Sequence, residues 1–358
     1  MSDKIVFQKS VGFHEALKSR VQAYFVEKNL HSRGNWQMYL KTSLIFLWVL
    51  ASYTALVFFA DSWWSALPLT LSLAIAISAV GFNVQHDGAH QAFSESKSIN
   101  WLMAFTLDLI GASNVLWRQK HNILHHTYTN INGVDEDVFD GSLFRLTPDQ
   151  PLRKLHRFQH FYTYALYAFL SLKWMFFDDY KKLIDVKRGK DEHFAISARD
   201  IALLIATKSF HLSYSIILPL FFHPLWIVLV VNLVFHFVLG FTLSVTFQMA
   251  HAVGDVHFPR PVTNSGVIEN EWAIHQVETT ANFAMGNPIV RWYAGGLNFQ
   301  IEHHLFPRIS HIHYKSLSPI VQKTCAEFGV HYHAYPNLLS AFLAHYRWLR
   351  QMGRPQLA

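Results

Sequence analysis

Four long apolar runs decide most of what this chain can fold into. Thr42 to Ala60 is rich in Leu, Val and Phe and carries no charge. As an α-helix rising 1.5 Å per residue it would reach about 28 Å, close to the ~30 Å hydrocarbon thickness of a bilayer. A break at Asp61 to Trp64, with paired tryptophans of the kind that sit at a membrane interface, separates it from a second run, Ser65 to Phe82. Ile201 to Phe222 and Leu225 to Phe247 repeat the pattern around His223 and Pro224. We therefore expect an all-α integral membrane protein with four transmembrane helices in two hairpins. Composition agrees, with 51% hydrophobic and only 15% charged residues where a soluble chain would carry about a quarter.

The runs divide the chain into an N-terminal segment 1–41, a hairpin 42–82, a polar stretch 83–200, a second hairpin 201–247 and a C-terminal region 248–358. The turns near Asp61 and His223 contain no Lys or Arg, whereas every long segment does, which places both termini and the long segments in the cytosol. On this reading the net charge of +6 orients the protein in its membrane and implies no nucleic-acid partner. The first apolar run starts late and lacks a cleavage site, so we expect no cleaved signal peptide. Lys208 and His211 make the third run the least secure, and they should lie near its cytosolic end or snorkel towards it. Ile99 to Trp117 is apolar but includes Asp108 and Asn114, and is expected to be a buried or interfacial segment rather than a span. Phe161 to Phe177 reads as an amphipathic helix lying in the interface.

Histidine is the outlying residue type, with 23 copies, and Cys325 is the single cysteine. Disulfides, thiolate zinc sites and cysteine-ligated iron–sulfur clusters are excluded, so a metal here must be held by nitrogen and oxygen. Seven histidines fall in three clusters. His86 and His90 are an i, i+4 pair sharing one face if the second helix continues beyond the bilayer, with Gly88 between them allowing close approach. His121, His125 and His126 add a third imidazole rotated about 100° around the helix, so that neighbours can address two different ions. His303 and His304 follow the glycine pair Gly295–Gly296, with Gln300 one turn earlier. His251, just past the last span, is the eighth imidazole. Each cluster borders an apolar run on the same expected side of the membrane, which chance placement explains poorly.

His156, His160, His257, His275, His311, His313, His331 and His333 read as packing, surface or supporting groups, with His275 the first of them to matter. The acidic patch Asp135 to Asp137 is most simply a solvated loop; its second reading is a carboxylate that orients a ligand histidine. Imidazole suits Zn, Cu, Fe and Ni alike, but about eight imidazoles over two ions beside a membrane suit a redox-active pair better than closed tetrahedral zinc. A dinuclear iron site with open positions could activate O2.

The motifs His86-Asp-x-x-His90, His121-x-x-x-His125-His126 and Gln300-x-x-His303-His304 resemble the three histidine boxes of the membrane fatty acid desaturases. Gln300 in place of the first histidine of box three resembles the front-end (delta-5/delta-6, linoleoyl-CoA desaturase-like) branch. The likeness runs from about Thr42 to about His313. It implies a mushroom-shaped protein whose cytosolic helical cap holds a histidine-ligated di-iron site, with His86, His90, His121, His125, His126, His303 and His304 as ligands. His251 matches the family's additional histidine after the last span, and Gln300 is a weak ligand or a hydrogen-bond partner of one. The resemblance further implies a fatty acyl substrate in a bent tunnel, on CoA, carrier protein or lipid, with O2 as co-substrate.

Many front-end enzymes carry a fused cytochrome b5 domain, whose His-Pro-Gly-Gly motif does not occur here. With no flavin or iron–sulfur motif either, we expect a separate electron donor of ferredoxin or cytochrome b5 type, docking on the cytosolic face in a bacterial inner membrane or the endoplasmic reticulum. Removing hydrogen from an unactivated methylene lies beyond acid–base side chains, so the metal must supply the oxidising power and the protein the positioning. The alternatives are a related di-iron hydroxylase and, less favoured because the histidines sit outside the spans, a metal transporter.

Overall fold

The structure, a computed structural model, describes residues 5–138, 143–191, 193–261 and 266–355. It is mostly helical. A short strand β1 (Val6–Phe7) leads into α1 (Phe13–Glu27), followed by two long helices, α2 (Trp36–Phe59) and α3 (Trp63–Ala89). Helices α4 (Lys97–Leu109) and α5 (Asn114–Tyr128) come next, bent by 115° where they meet. After α6 (Gln159–Tyr167) and α7 (Asp179–Lys187) the chain forms α8 (Ala198–Phe221) and α9 (Leu225–His251). The rest includes β2 (Val267–Ile268), α10 (Trp272–Glu278), β3 (Asn282–Phe283), a short helix Pro288–Tyr293, α11 (Gln300–Leu305), α12 (Tyr314–Phe328), β4 (Ala334–Tyr335) and α13 (Leu338–Met352). The all-α expectation is therefore corrected at two places, where β1 pairs with β2 and β3 with β4, both parallel. These pairings satisfy backbone groups of segments too short to build a helix.

Among the described residues, α2, α3, α8 and α9 are the helices long and apolar enough to cross a membrane. Only 28%, 22% and 28% of the apolar windows of α2, α8 and α9 are buried within the protein. Helices apolar all round that leave Leu50, Phe59 and Leu229 exposed need lipid to cover them, so this is a membrane protein.

The helix boundaries differ from the sequence expectation. Helix α2 begins at Trp36, where Asn35 accepts a capping bond from Gln37 N, and so takes in Lys41. Helix α3 runs past Phe82 through a π-helical turn at Val80–Gln85 and keeps His86 on the same helix. The expected single helix over Phe161–Phe177 is broken. The break falls at Ala168–Phe169, after which Leu170–Lys173, a π turn at Trp174–Asp178 and α7 form one continuous helical run.

The chain packs as two compact units. One gathers the residues up to Arg33, Lys120–Thr163 and Thr246 onward; the other comprises Gly34–Gln119 and Tyr164–Val245. The first unit has a core of Phe13, Leu17, Val277, Ile301, Leu305 and Val321, which packs α1 on α10, α11 and α12. The Glu271 carboxylate accepts from Val11 N and His14 N and so caps α1 from a distant part of the chain.

In the second unit, Trp48 Nε1 donates to Ser72 Oγ at 2.9 Å, tying α2 to α3. Its apolar core includes Leu56, Leu73, Ile77 and Leu239. A cavity of about 750 Å³ remains among these helices, lined by Leu73, Ile77, Ile110, Val231 and Phe235 among others. Gly88 is required here, because a Cβ would lie 2.6 Å from Ala104 N on α4.

Lys208 neither snorkels nor lies at a helix end. Its ammonium is buried, 2.9 Å from the Asp179 carboxylate, and donates to Gly111 O and Met175 O at 3.0 and 2.6 Å. Asp179 in turn accepts from Ser113 N and Trp174 Nε1. Replacing Lys208 by Ala leaves a buried carboxylate without its cation, and we expect a loss of about 3–5 kcal/mol. Thermal unfolding in detergent measures this; an unchanged melting temperature contradicts it.

Candidate metal centre

In the first unit three helix ends deliver six imidazoles to one place. The end of α5 contributes His121, His125 and His126, the last turn of α9 contributes His251, and α11 contributes His303 and His304; all are buried. His251 is therefore part of the last helix rather than beyond it, because α9 runs past Phe247. Ring centroids of His125, His251 and His304 lie 4.8 to 5.0 Å apart. Those of His126 lie 4.6 Å from His303 and 4.4 Å from His304.

Local packing fixes α11 in place. Gly296 has φ +76°, and a Cβ there would meet His311 Cβ at 2.6 Å, so only glycine fits the approach to the helix. Glu302 faces away into the core, where its oxygens accept from Asn282 Nδ2 and Tyr332 OH, both at 2.7 Å. Burial without a cation pushes this carboxyl up to about 7. Asn282 Oδ1 accepts from Ile301 N, so the same asparagine anchors the helix to the β3–β4 pair.

The nitrogens of these rings are oriented by acceptors behind them. His125 Nδ1 donates to the Asp135 carboxylate at 3.0 Å. Asp135 is wholly buried and also accepts from Asn130 N and Asp137 N, which corrects the solvated-loop reading of this patch. Burial alone would lower the proton affinity of His125, but the Asp135 charge and hydrogen bond, with Asp137, raise it overall. Asp137 is itself depressed to about 2: burial opposes this, and the Lys120 ammonium 2.6 Å away, with His125, outweighs it.

His304 Nδ1 donates to Gln276 Oε1 at 2.9 Å, and His303 Nδ1 lies 3.3 Å from Tyr314 OH. Burial, aided by the surrounding histidines, holds His304 well below its usual range, which keeps it neutral and able to donate a lone pair.

Two sets of three imidazoles, His125/His251/His304 and His126/His303/His304, each offer nitrogens within 4.8 Å of one another, and His121, His125 and Asp137 form a further such set. Nitrogens held at ~2.1 Å by one ion lie at most about 4.2 Å apart, so rings this close need shift only slightly to share an ion. The buried Nε2 of His304 and Nδ1 of His251 meet no hydrogen-bond partner among the described residues. His126 Nε2 and His121 Nε2 face each other at 3.2 Å. Imidazoles gathered this closely, three of them (His125, His303 and His304) with one ring nitrogen against a partner behind, fit iron as a ligand set.

In the second unit His86 and His90 share one face, with ring centroids 4.7 Å apart and Trp117 beside both. Gln300 opens α11, buried, and its Oε1 has no hydrogen-bond partner among the described residues. His275 packs against Phe7 at 5.1 Å and belongs to none of these sets; its neighbour Gln276 is the residue that reaches the cluster. Sequence reading missed Gln276 and Tyr314, because a partner many residues away from its histidine has no fixed spacing to betray it.

Apolar helices of membrane-spanning length and a buried cluster of histidines that could hold a metal ion are the features of a membrane protein with a candidate metal site. The model of the fatty acid desaturase family matches residues 61–336, and the chain belongs to that family. It is 40% identical to the sn-1 linoleoyl-lipid 6-desaturase of Arthrospira platensis, over 98% of this chain and 95% of that one. It is also 40% identical to the protein of the same description from Synechocystis sp., over 99% of each. The acyl-lipid (8-3)-desaturase of Physcomitrium patens is 34% identical over 95% of this chain and 72% of its own length.

Asp135→Ala removes the acceptor of His125 Nδ1 and of Asn130 N. We expect the affinity for iron to fall roughly 10–100-fold. Competition with a chelator measures this, and wild-type affinity contradicts it.

Proposed function

We propose that this desaturase is a front-end enzyme, placing a cis double bond between an existing one and the carboxyl end of a lipid-linked linoleoyl chain. The enzyme is a fatty acid desaturase by family and by its relatives. The position and the lipid carrier rest on the names of the two cyanobacterial relatives and on Gln300 at the head of the third box. The single observation that carries the metal reading is the convergence of His125, His251 and His304 with His126 and His303.

His86, His90, His121, His125, His126, His251, His303 and His304 would hold two irons, with Gln300 as a weak ligand or a hydrogen-bond partner. Iron supplies activation of O2. Each turnover takes two hydrogens from adjacent methylenes and, with two further electrons and two protons, reduces O2 to two waters. The electrons come from a separate donor of ferredoxin or cytochrome b5 type.

The protein's own work is to hold the rings. Asp135, Gln276 and Tyr314 keep one nitrogen of His125, His304 and His303 occupied, which would leave the other free for the metal. The four apolar helices, read as two hairpins with the histidine boxes towards the cytosol, bring the site to its lipid substrate. The second unit's apolar cavity suits hydrocarbon in size and lining.

Expression in a host lacking polyunsaturated fatty acids, with linoleate supplied, tests the reading. We expect one new double bond on the carboxyl side of the existing one, found on lipid, and none from His303→Ala. A hydroxylated product would favour the hydroxylase reading instead, and a bond on the methyl side would exclude the front-end assignment.

A further inference from the structure

Two rings of one nitrogen set are backed by acceptors of different charge. His125 Nδ1 meets the Asp135 carboxylate at 3.0 Å, whereas His304 Nδ1 meets the Gln276 amide oxygen at 2.9 Å. With His251 they offer nitrogens within 4.8 Å of one another. Gln276 and Thr129 are both fully buried. Thr129 Oγ1 lies 2.9 Å from Gln276 Oε1 and 2.7 Å from His125 O, which ties the amide to the same turn of α5 that carries His125. The other end of the amide, Nε2, meets no hydrogen-bond partner among the described residues. The orientation is thus set by His304: reversed, the amide would set its own N–H against the ring's Nδ1–H, whereas the Thr129 hydroxyl can donate or accept.

A carboxylate behind a ligand imidazole draws on its Nδ1 proton and makes the ring a stronger donor to a metal. An amide oxygen fixes the same tautomer without adding negative charge. We propose that Gln276 is a positioning residue that holds His304 as a neutral, weaker donor beside the carboxylate-backed His125. The reduction potential of the centre is thereby higher than a carboxylate at position 276 would allow. Gln276 acts through His304 and touches neither substrate nor O2.

This inference rests on the iron reading above, and the experiment keeps the two apart. Full-length wild type, Gln276→Glu and Gln276→Leu are purified in detergent. Iron affinity is measured by chelator competition, the midpoint potential by redox titration, and the melting temperature of the iron-free forms by calorimetry. Gln276→Leu should bind iron roughly 10–100-fold more weakly at an unchanged iron-free melting temperature. Gln276→Glu keeps an acceptor for Nδ1–H, so it should retain iron at the wild-type level while its midpoint potential falls. Wild-type iron affinity in Gln276→Leu, or an unmoved potential in Gln276→Glu, overturns the proposal. If Gln276→Leu fails to fold, the potential of Gln276→Glu decides alone. Wild type that binds no iron strikes the iron reading itself.

Discussion

Six imidazoles buried in one place are tolerable only if every ring nitrogen has an assigned partner. A buried polar atom left unsatisfied costs about 1–3 kcal/mol, and a cluster of them would unfold the region without a metal or a layer of acceptors. That requirement propagates outward. Asp135 holds His125 and is held by Asn130 N; the Asn130 side chain then donates to His251 O and Thr279 O, joining the end of α9 to the residue after α10. Asn130 adopts φ +60° to do so, a left-handed conformation that asparagine accepts more readily than most residues. The histidines are rigid because the second layer is, and the second layer is rigid because it is bonded to backbone.

The second unit meets the same requirement differently. Where α4 meets α5 the helical ladder is interrupted, and the buried backbone groups there need partners from elsewhere in the protein. Lys208 donates to Gly111 O at that bend, and Asp179 accepts from Ser113 N two residues on. The ion pair is useful less for its attraction than for the backbone groups it satisfies. The π turn before Asp179 belongs to the same arrangement, since it lies in the helical run that presents the carboxylate to Lys208.

The spans were legible in the sequence because a run of uncharged residues of bilayer length has few other solutions, and the histidine boxes because helical spacing converts directly into a shared face. What depended on distant partners was not legible. Lys208 alone looked like a charge that must escape to the interface, since nothing in its neighbourhood points to Asp179. Asp135 sat in a run of three acidic residues that reads as solvated until His125 is seen above it. Gln276 was hidden beside His275, the residue its composition made more conspicuous. The boundary errors have a local cause. The π-helical turn at Val80–Gln85 carries the helix beyond the end of the apolar run at Phe82, a continuation that hydropathy alone does not mark.

We propose that these histidines hold a pair of irons. Mössbauer spectroscopy of purified protein loaded with ⁵⁷Fe, together with the iron count per chain, tests it most directly. We expect two irons per chain, and an oxidised form whose spectrum is that of a magnetically coupled pair with histidine ligation. A single iron, uncoupled ions, or retention of zinc in place of iron would contradict it.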